Sequence, residues 1–161
     1  MESMTTTTIT TYAVHALPAA LLDEVRSGGV GASGARVEHV VAGGGEPLRC
    51  CLRDARPAEE LLLFGYRPPT PRGPYQEIGP VFAHAEPCEG WRGPGYPSDW
   101  LSRPQVLRAY DERGWIHPAT TVHDGSDPEA ALAAVLAAPG VVEVHSRNIA
   151  YGCYMFAITA G

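Results

Sequence analysis

The 161-residue sequence predicts a single α+β domain: a twisted, mostly antiparallel sheet, either open or curled into a partial barrel, with two helices. Three observations predict it. Apolar alternation at period two recurs in many short runs separated by Gly, Pro and Asp clusters. Only two segments carry helix start and stop signals. The order is strand, helix, many strands, helix, hairpin, and the length fits one domain that needs neither metal nor disulfide to bury a core.

Taken in order, residues 1–8 read as a disordered leader and residues 9–161 as the domain, with a short strand over 9–14. Residues 18–26 form a helix, opened by Pro18, striped by Leu21, Leu22 and Val25, and stopped by Ser27-Gly28-Gly29. Strands follow over 36–41, 48–53 and 60–64. Leu61-Leu62-Leu63-Phe64, apolar on both faces, is expected in a central position. Another strand covers 80–84, then 106–110 and 115–122 make a hairpin around Asp111-Glu112-Arg113-Gly114. Residues 127–138 give the clearest helix: Ser126 or Asp127 caps it, Pro128 follows, and Pro139-Gly140 ends it. Two long irregular segments, 65–79 and 86–104, interrupt the strands. The second contains Trp91, Tyr96 and Trp100, which need something to pack on, so it is expected to fold over the sheet.

The last hairpin, VVEVHSRNIAYGCYMFAI over 141–158, carries the sharpest structural expectation. Alternation sets Val142, Val144 and Ser146 on one face and Glu143, His145 and Arg147 on the other. Keeping apolar opposite apolar pairs Val144 with Tyr154 and Val142 with Phe156, and hence His145 with Cys153 and Arg147 with Tyr151. Asn148 supplies the turn, with a five-residue loop ending at Gly152 favoured over a three-residue one.

Composition excludes several functions. All the basic residues are Arg, so Schiff-base chemistry, including internal linkage to pyridoxal phosphate, has no lysine to use. The formal charge is −6 with the arginines scattered, which is not the footprint of a nucleic-acid binder. No stretch has the length and hydropathy of a membrane span, and the N-terminal segment lacks the regions of a secretory signal. A cytoplasmic protein with reduced cysteines and a small-molecule partner is the expectation, without nucleic acid or membrane. The glycine clusters lack a P-loop lysine and a strand-to-helix context, which argues against nucleotides.

The chemistry on offer lies in a few side chains. If 48–53 is a strand, Arg49, Cys51 and Arg53 share a face; Cys51 between two guanidinium groups is a nucleophile or ligand, whereas Cys50 sits with Leu52 as a small core residue. His84 and Cys88 have a His-x3-Cys spacing, which with Cys51 and Cys153 could complete a three-thiolate, one-imidazole zinc set. Without metal, Cys51 or Cys153 near His84 or His145 is a nucleophile and base pair. Arg147 beside Tyr151 could hold a carboxylate or phosphate and polarise an adjacent oxygen.

Several of these segments resemble the bacterial family DUF1203. They are Pro47-Leu48-Arg49-Cys50-Cys51-Leu52-Arg53-Asp54-Ala55, Leu61-Leu62-Leu63, Pro74-Tyr75 leading to Gly79-Pro80-Val81-Phe82, and 145–148 with Gly152-Cys153. These pieces cover most of the chain from Leu17 onward. Arg49, Asn148, Gly152 and Cys153 match the family pattern, but Leu48 stands where the family usually has a Cys, so any role of that thiol is lost or moved to Cys50 or Cys51. The resemblance implies a shared fold and supplies no reaction.

The leading functional expectation is a small enzyme without an organic cofactor, acting on an anionic or carbonyl-bearing metabolite by isomerisation, cyclisation or hydrolysis. Arg49, Arg147 and Asn148 would hold the substrate, His84 or His145 would move a proton, and Tyr151, Cys51 or Cys153 would assist. The alternatives are a non-catalytic small-molecule-binding module and a zinc-stabilised interaction protein.

Overall fold

The computed structural model describes residues 11–161; the proposed leader over 1–8 and the first residues of the predicted strand at 9–14 lie outside that range. Two five-stranded sheets make up the domain. The first, in spatial order β1 (Tyr12–His15), β10 (Tyr154–Ala160), β9 (Glu143–Arg147), β7 (Gln105–Tyr110) and β8 (Thr121–His123), is antiparallel throughout. The second runs β2 (Glu38–Val41), β5 (Glu60–Tyr66), β6 (Gly79–His84), β3 (Pro47–Leu48) and β4 (Arg53–Asp54). Its single parallel pairing joins Leu48 of β3 to Phe82 of β6. The α+β expectation holds, with two sheets and no closed barrel among the described residues.

Both helices form where their signals lie. In α1 (Ala19–Gly28), Pro18 precedes the first turn and Gly29, at φ 68, turns left-handed so that its N–H donates to the Val25 carbonyl. In α2 (Pro128–Ala137), the Asp127 side chain accepts from the Ala130 N–H and Pro128 occupies the first turn, where its missing N–H costs nothing.

Two apolar clusters fill the interior, and β10 feeds both. Tyr154 and Ala157 join Leu48, Leu61, Phe64 and Val81 of the second sheet, while Phe156 and Ile158 join Leu107, Val144, Leu132 of α2 and Trp100. Simple alternation would keep Tyr154 with Phe156. A bulge between them leaves an extra residue unpaired and sends Tyr154 to the other face. As expected for a central strand, β5 lies between β2 and β6.

The hairpin register differs from the one predicted. Val144 pairs with Ile158 rather than Tyr154, His145 with Ala157 rather than Cys153, and Arg147 with Tyr154 rather than Tyr151. The slide of Val144 from residue 154 to 158 keeps parity over 144–146, so face matching cannot tell the two registers apart there, and parity changes only past the bulge, where Arg147 meets Tyr154. The longer connection over 148–153 is closed by the Asn148 N–H donating to the Cys153 carbonyl.

The 86–104 segment folds over the sheet as expected. Trp100, fully buried in the short 3-10 turn Ser98–Trp100, stacks on Phe156 at 5.8 Å between centroids, and its indole N–H donates to Asp54 at 2.9 Å. Tyr96 meets Phe156 edge-on at 5.3 Å and donates its hydroxyl to Gln105. Asp54 also takes Arg103 at 2.8 Å, so β4 is pinned to this segment. Replacing Trp100 by Ala should cost about 3–5 kcal/mol of unfolding free energy, the range for a fully buried large aromatic. Urea denaturation measures it, and a loss below about 1 kcal/mol would mean that the segment does not seal the core.

Candidate metal centre

The predicted strand over 48–53 is broken. After Leu48 the chain turns through 49–52 before resuming as β4, and Leu52 occupies the left-handed region at φ 56 with its N–H bonded to the Leu48 carbonyl. Leu52 accepts that conformation because its side chain is buried against the second apolar cluster. The strand parity that separated Cys50 from Cys51 therefore does not apply. Both sulphurs turn toward His84, at the end of β6, and Cys88, on the loop beyond it.

Four ligand atoms, the sulphurs of Cys50, Cys51 and Cys88 and one ring nitrogen of His84, lie within 4.8 Å of one another. The two adjacent sulphurs are 3.8 Å apart, and His84 Nδ1 lies 3.5 Å from Cys50 Sγ and 3.8 Å from Cys51 Sγ. Cys50, Cys51 and His84 are buried, and Cys88 is half-buried at the wall of two clefts of about 450 and 430 Å³.

The imidazole is held by its other nitrogen. His84 Nε2 lies 2.7 Å from Glu59 Oε2, which fixes the N–H on Nε2 and leaves the Nδ1 lone pair facing the sulphurs. Arg53 grips both oxygens of Glu59 at 2.9 Å, and the Arg56 N–H adds a further bond. These partners, Arg53 first, hold the Glu59 carboxyl well below the usual carboxylate range. The backbone is pinned too: Arg26 donates to the His84 carbonyl at 3.1 Å, and the His84 N–H points at Cys50 Sγ at 3.3 Å.

The sulphurs divide their protons unequally. The hydrogen bond with Cys51 draws the Cys50 thiol down to about 5, with the His84 N–H also favouring its thiolate. Cys51 is pushed up by that same partnership, and Cys88 is raised mainly by burial.

The other residues expected at a site fall into two groups. Arg49, Asn148, Tyr151 and Cys153 border a separate cleft. Cys153, expected to join Cys51, His84 and Cys88, is thus not part of the cluster, and Cys50 occupies the position foreseen for it. His145 is fully buried between the rings of Tyr110 and Tyr154, with Glu143 3.3 Å away. Arg147 pairs with Glu77 and donates to the Gly152 carbonyl. Tyr151, 88% exposed, is not opposite Arg147 as predicted, because Tyr154 takes that strand position.

Three thiols and a carboxylate-braced imidazole gathered at the end of one strand pair form a cluster that could hold a metal ion such as zinc. The sequence profile of DUF1203, a protein family of unknown function, matches residues 45–160, and the chain belongs to that family. No curated protein and no solved structure matches the chain. No helix among the described residues is long and apolar enough to cross a membrane.

All four cysteines are free thiols. In metal-free protein, Cys88 and Cys153 should react with an aromatic disulfide reagent well before the buried Cys50 and Cys51, with all four reacting after unfolding. A single uniform phase in the folded protein would contradict this burial.

Proposed function

We propose that the chain is a metal-binding protein whose Cys50, Cys51, His84 and Cys88 centre takes one zinc ion as a closed, fold-stabilising site. The observation that carries this reading is the spacing of the ligand atoms. With Zn–S near 2.3 Å and Zn–N near 2.0–2.1 Å, a tetrahedral site has S to S edges of about 3.8 Å and S to N edges of about 3.5 Å. Cys50, Cys51 and His84 have separations of 3.5–3.8 Å before any ion is considered. The pairs that involve Cys88 are no longer than 4.8 Å, so closure requires a loop sulphur to move by about 1 Å, on the same bond-length reckoning.

The chemistry of the donor set favours zinc over hard ions. Three thiolates and an imidazole suit a borderline-soft cation, whereas calcium and magnesium prefer oxygen. The Glu59 to His84 hydrogen bond is the bracing that zinc-ligating histidines commonly have, with Arg53 orienting the carboxylate in turn. Three thiolates around a divalent ion leave one negative charge, and the Arg53 guanidinium lies beside it.

With four protein ligands there is no open coordination position, so the ion would hold structure rather than activate water. It would tie the 49–52 turn to the end of β6 and to the loop that leads into Trp91. The earlier expectation of His84 as a proton carrier is replaced, in this reading, by His84 as a ligand.

Metal analysis of protein purified without chelator should give one zinc per chain. Cys50→Ser and His84→Ala should abolish it, and Cys153→Ser should leave it intact. Glu59→Gln should weaken zinc affinity by about 10–100-fold while keeping one-to-one stoichiometry. Binding should also shield Cys88 from the thiol reagent. Protein that neither carries zinc nor takes it up when reduced and titrated would overturn the proposal, as would loss of zinc in Cys153→Ser alone.

A further inference from the structure

The first residue of the 49–52 turn, Arg49, lines a separate cleft of about 260 Å³ that none of the four cluster residues borders. Arg49 forms part of the wall with 2% of its surface exposed, which makes it one of the largest fully buried side chains. Its Nε donates to the Tyr154 carbonyl at 2.8 Å and Nη1 to the Pro47 carbonyl. Among the described residues, Nη2 has no hydrogen-bond acceptor and no carboxylate lies within ion-pair distance of the guanidinium. The acidic residue bordering the cleft, Glu46, spends its two oxygens on the Gly43 and Gly44 N–H groups at 2.9 Å. A guanidinium cannot shed its charge at neutral pH, and two neutral carbonyls do not balance a buried cation.

We propose that this cleft binds a small organic carboxylate, with Arg49 as its anion receptor. Leu63, Pro80 and Phe82 make the remaining walls largely apolar, and Asn148 adds one polar side chain at the loop end. This combination suits a ligand with one charged end and an apolar body. A planar fork of N–H donors matches a carboxylate, and the cleft has a single cation, too few for a dianionic phosphate. Tyr151 borders the same cleft from the exposed loop over 148–153, where its ring can cover a bound ligand. The cleft shares no ligand atom with the metal centre, so the inference stands apart from the zinc reading.

The test is calorimetric titration of the full chain with straight-chain carboxylates from acetate to heptanoate and with benzoate, beside the matching primary amides and inorganic phosphate. Saturable one-to-one binding of at least one acid is expected, with its amide and phosphate each weaker by about tenfold or more, the value of a charge-assisted hydrogen bond. Arg49→Met should reduce binding by a similar factor. Because Arg49 is buried and that variant could fail to fold, Cys153→Phe, which fills the cleft from a half-exposed position, provides a second variant and should also lose binding. No binding by any acid up to 10 mM (about the practical limit of such titrations, corresponding to less than 3 kcal/mol), equal binding of acid and amide, stronger binding of phosphate, or unchanged affinity in Cys153→Phe would each overturn the proposal.

Discussion

One backbone pairing sets the geometry on which the sulphur cluster and the Arg49 cleft both depend. β3 and β6 run parallel with Leu48 opposite Phe82, and the Arg49 N–H donates to the Phe82 carbonyl at 2.8 Å. In a parallel pair the chains leave the ladder in the same direction, so residues two further along each strand emerge side by side. Those residues are Cys50 and His84. Had β3 paired antiparallel with β6, the two would have left from opposite ends. The remaining antiparallel strands serve to hold this pairing: β5 covers the far edge of β6, and β4 is fastened through Asp54 to Trp100 and Arg103.

Much of the fold was legible in the sequence because its signals are local. Pro18, Gly28-Gly29, Asp127 and Pro139 bracket the two helices through hydrogen-bond requirements that any reader of the chain can apply. The run 61–64 declared a central strand by being apolar on both faces, and Trp100 and Tyr96 declared an ordered loop by needing a surface to pack on. The errors came where a rule left a choice open. Alternation fixes which face a side chain takes, yet a slide of four residues changes no face, so the hairpin between β9 and β10 could not be indexed from its pattern. The bulge after Tyr154 added a parity change that no turn residue announces.

The candidate site was half legible for a similar reason. Cys51, His84 and Cys88 were grouped from residue type and His-x3-Cys spacing, and the structure brings them together. Cys50 was set aside because alternation in a strand would turn it toward the core. Leu-Arg-Cys-Cys-Leu-Arg contains no Gly, Pro or Asn to mark a turn, and the left-handed residue in it is a leucine. Its conformation is maintained by burial against the other cluster, which is a tertiary fact. Glu59, the brace on His84, was also missed: it lies 25 residues away in sequence and carries no motif of its own.

Arg49 and Cys50 are neighbours on one short turn, yet one borders the cleft lined by Leu63, Pro80 and Phe82 and the other the sulphur cluster. Ordering a stretch of backbone costs about 1–2 kcal/mol of conformational entropy per residue, and this stretch is common to both sites. The fold itself holds the turn, through the Arg49 N–H on the Phe82 carbonyl and the Leu52 N–H on the Leu48 carbonyl, so that cost is met once for both side chains. The four-residue turn thus gives two chemically unrelated pockets a single mechanical joint.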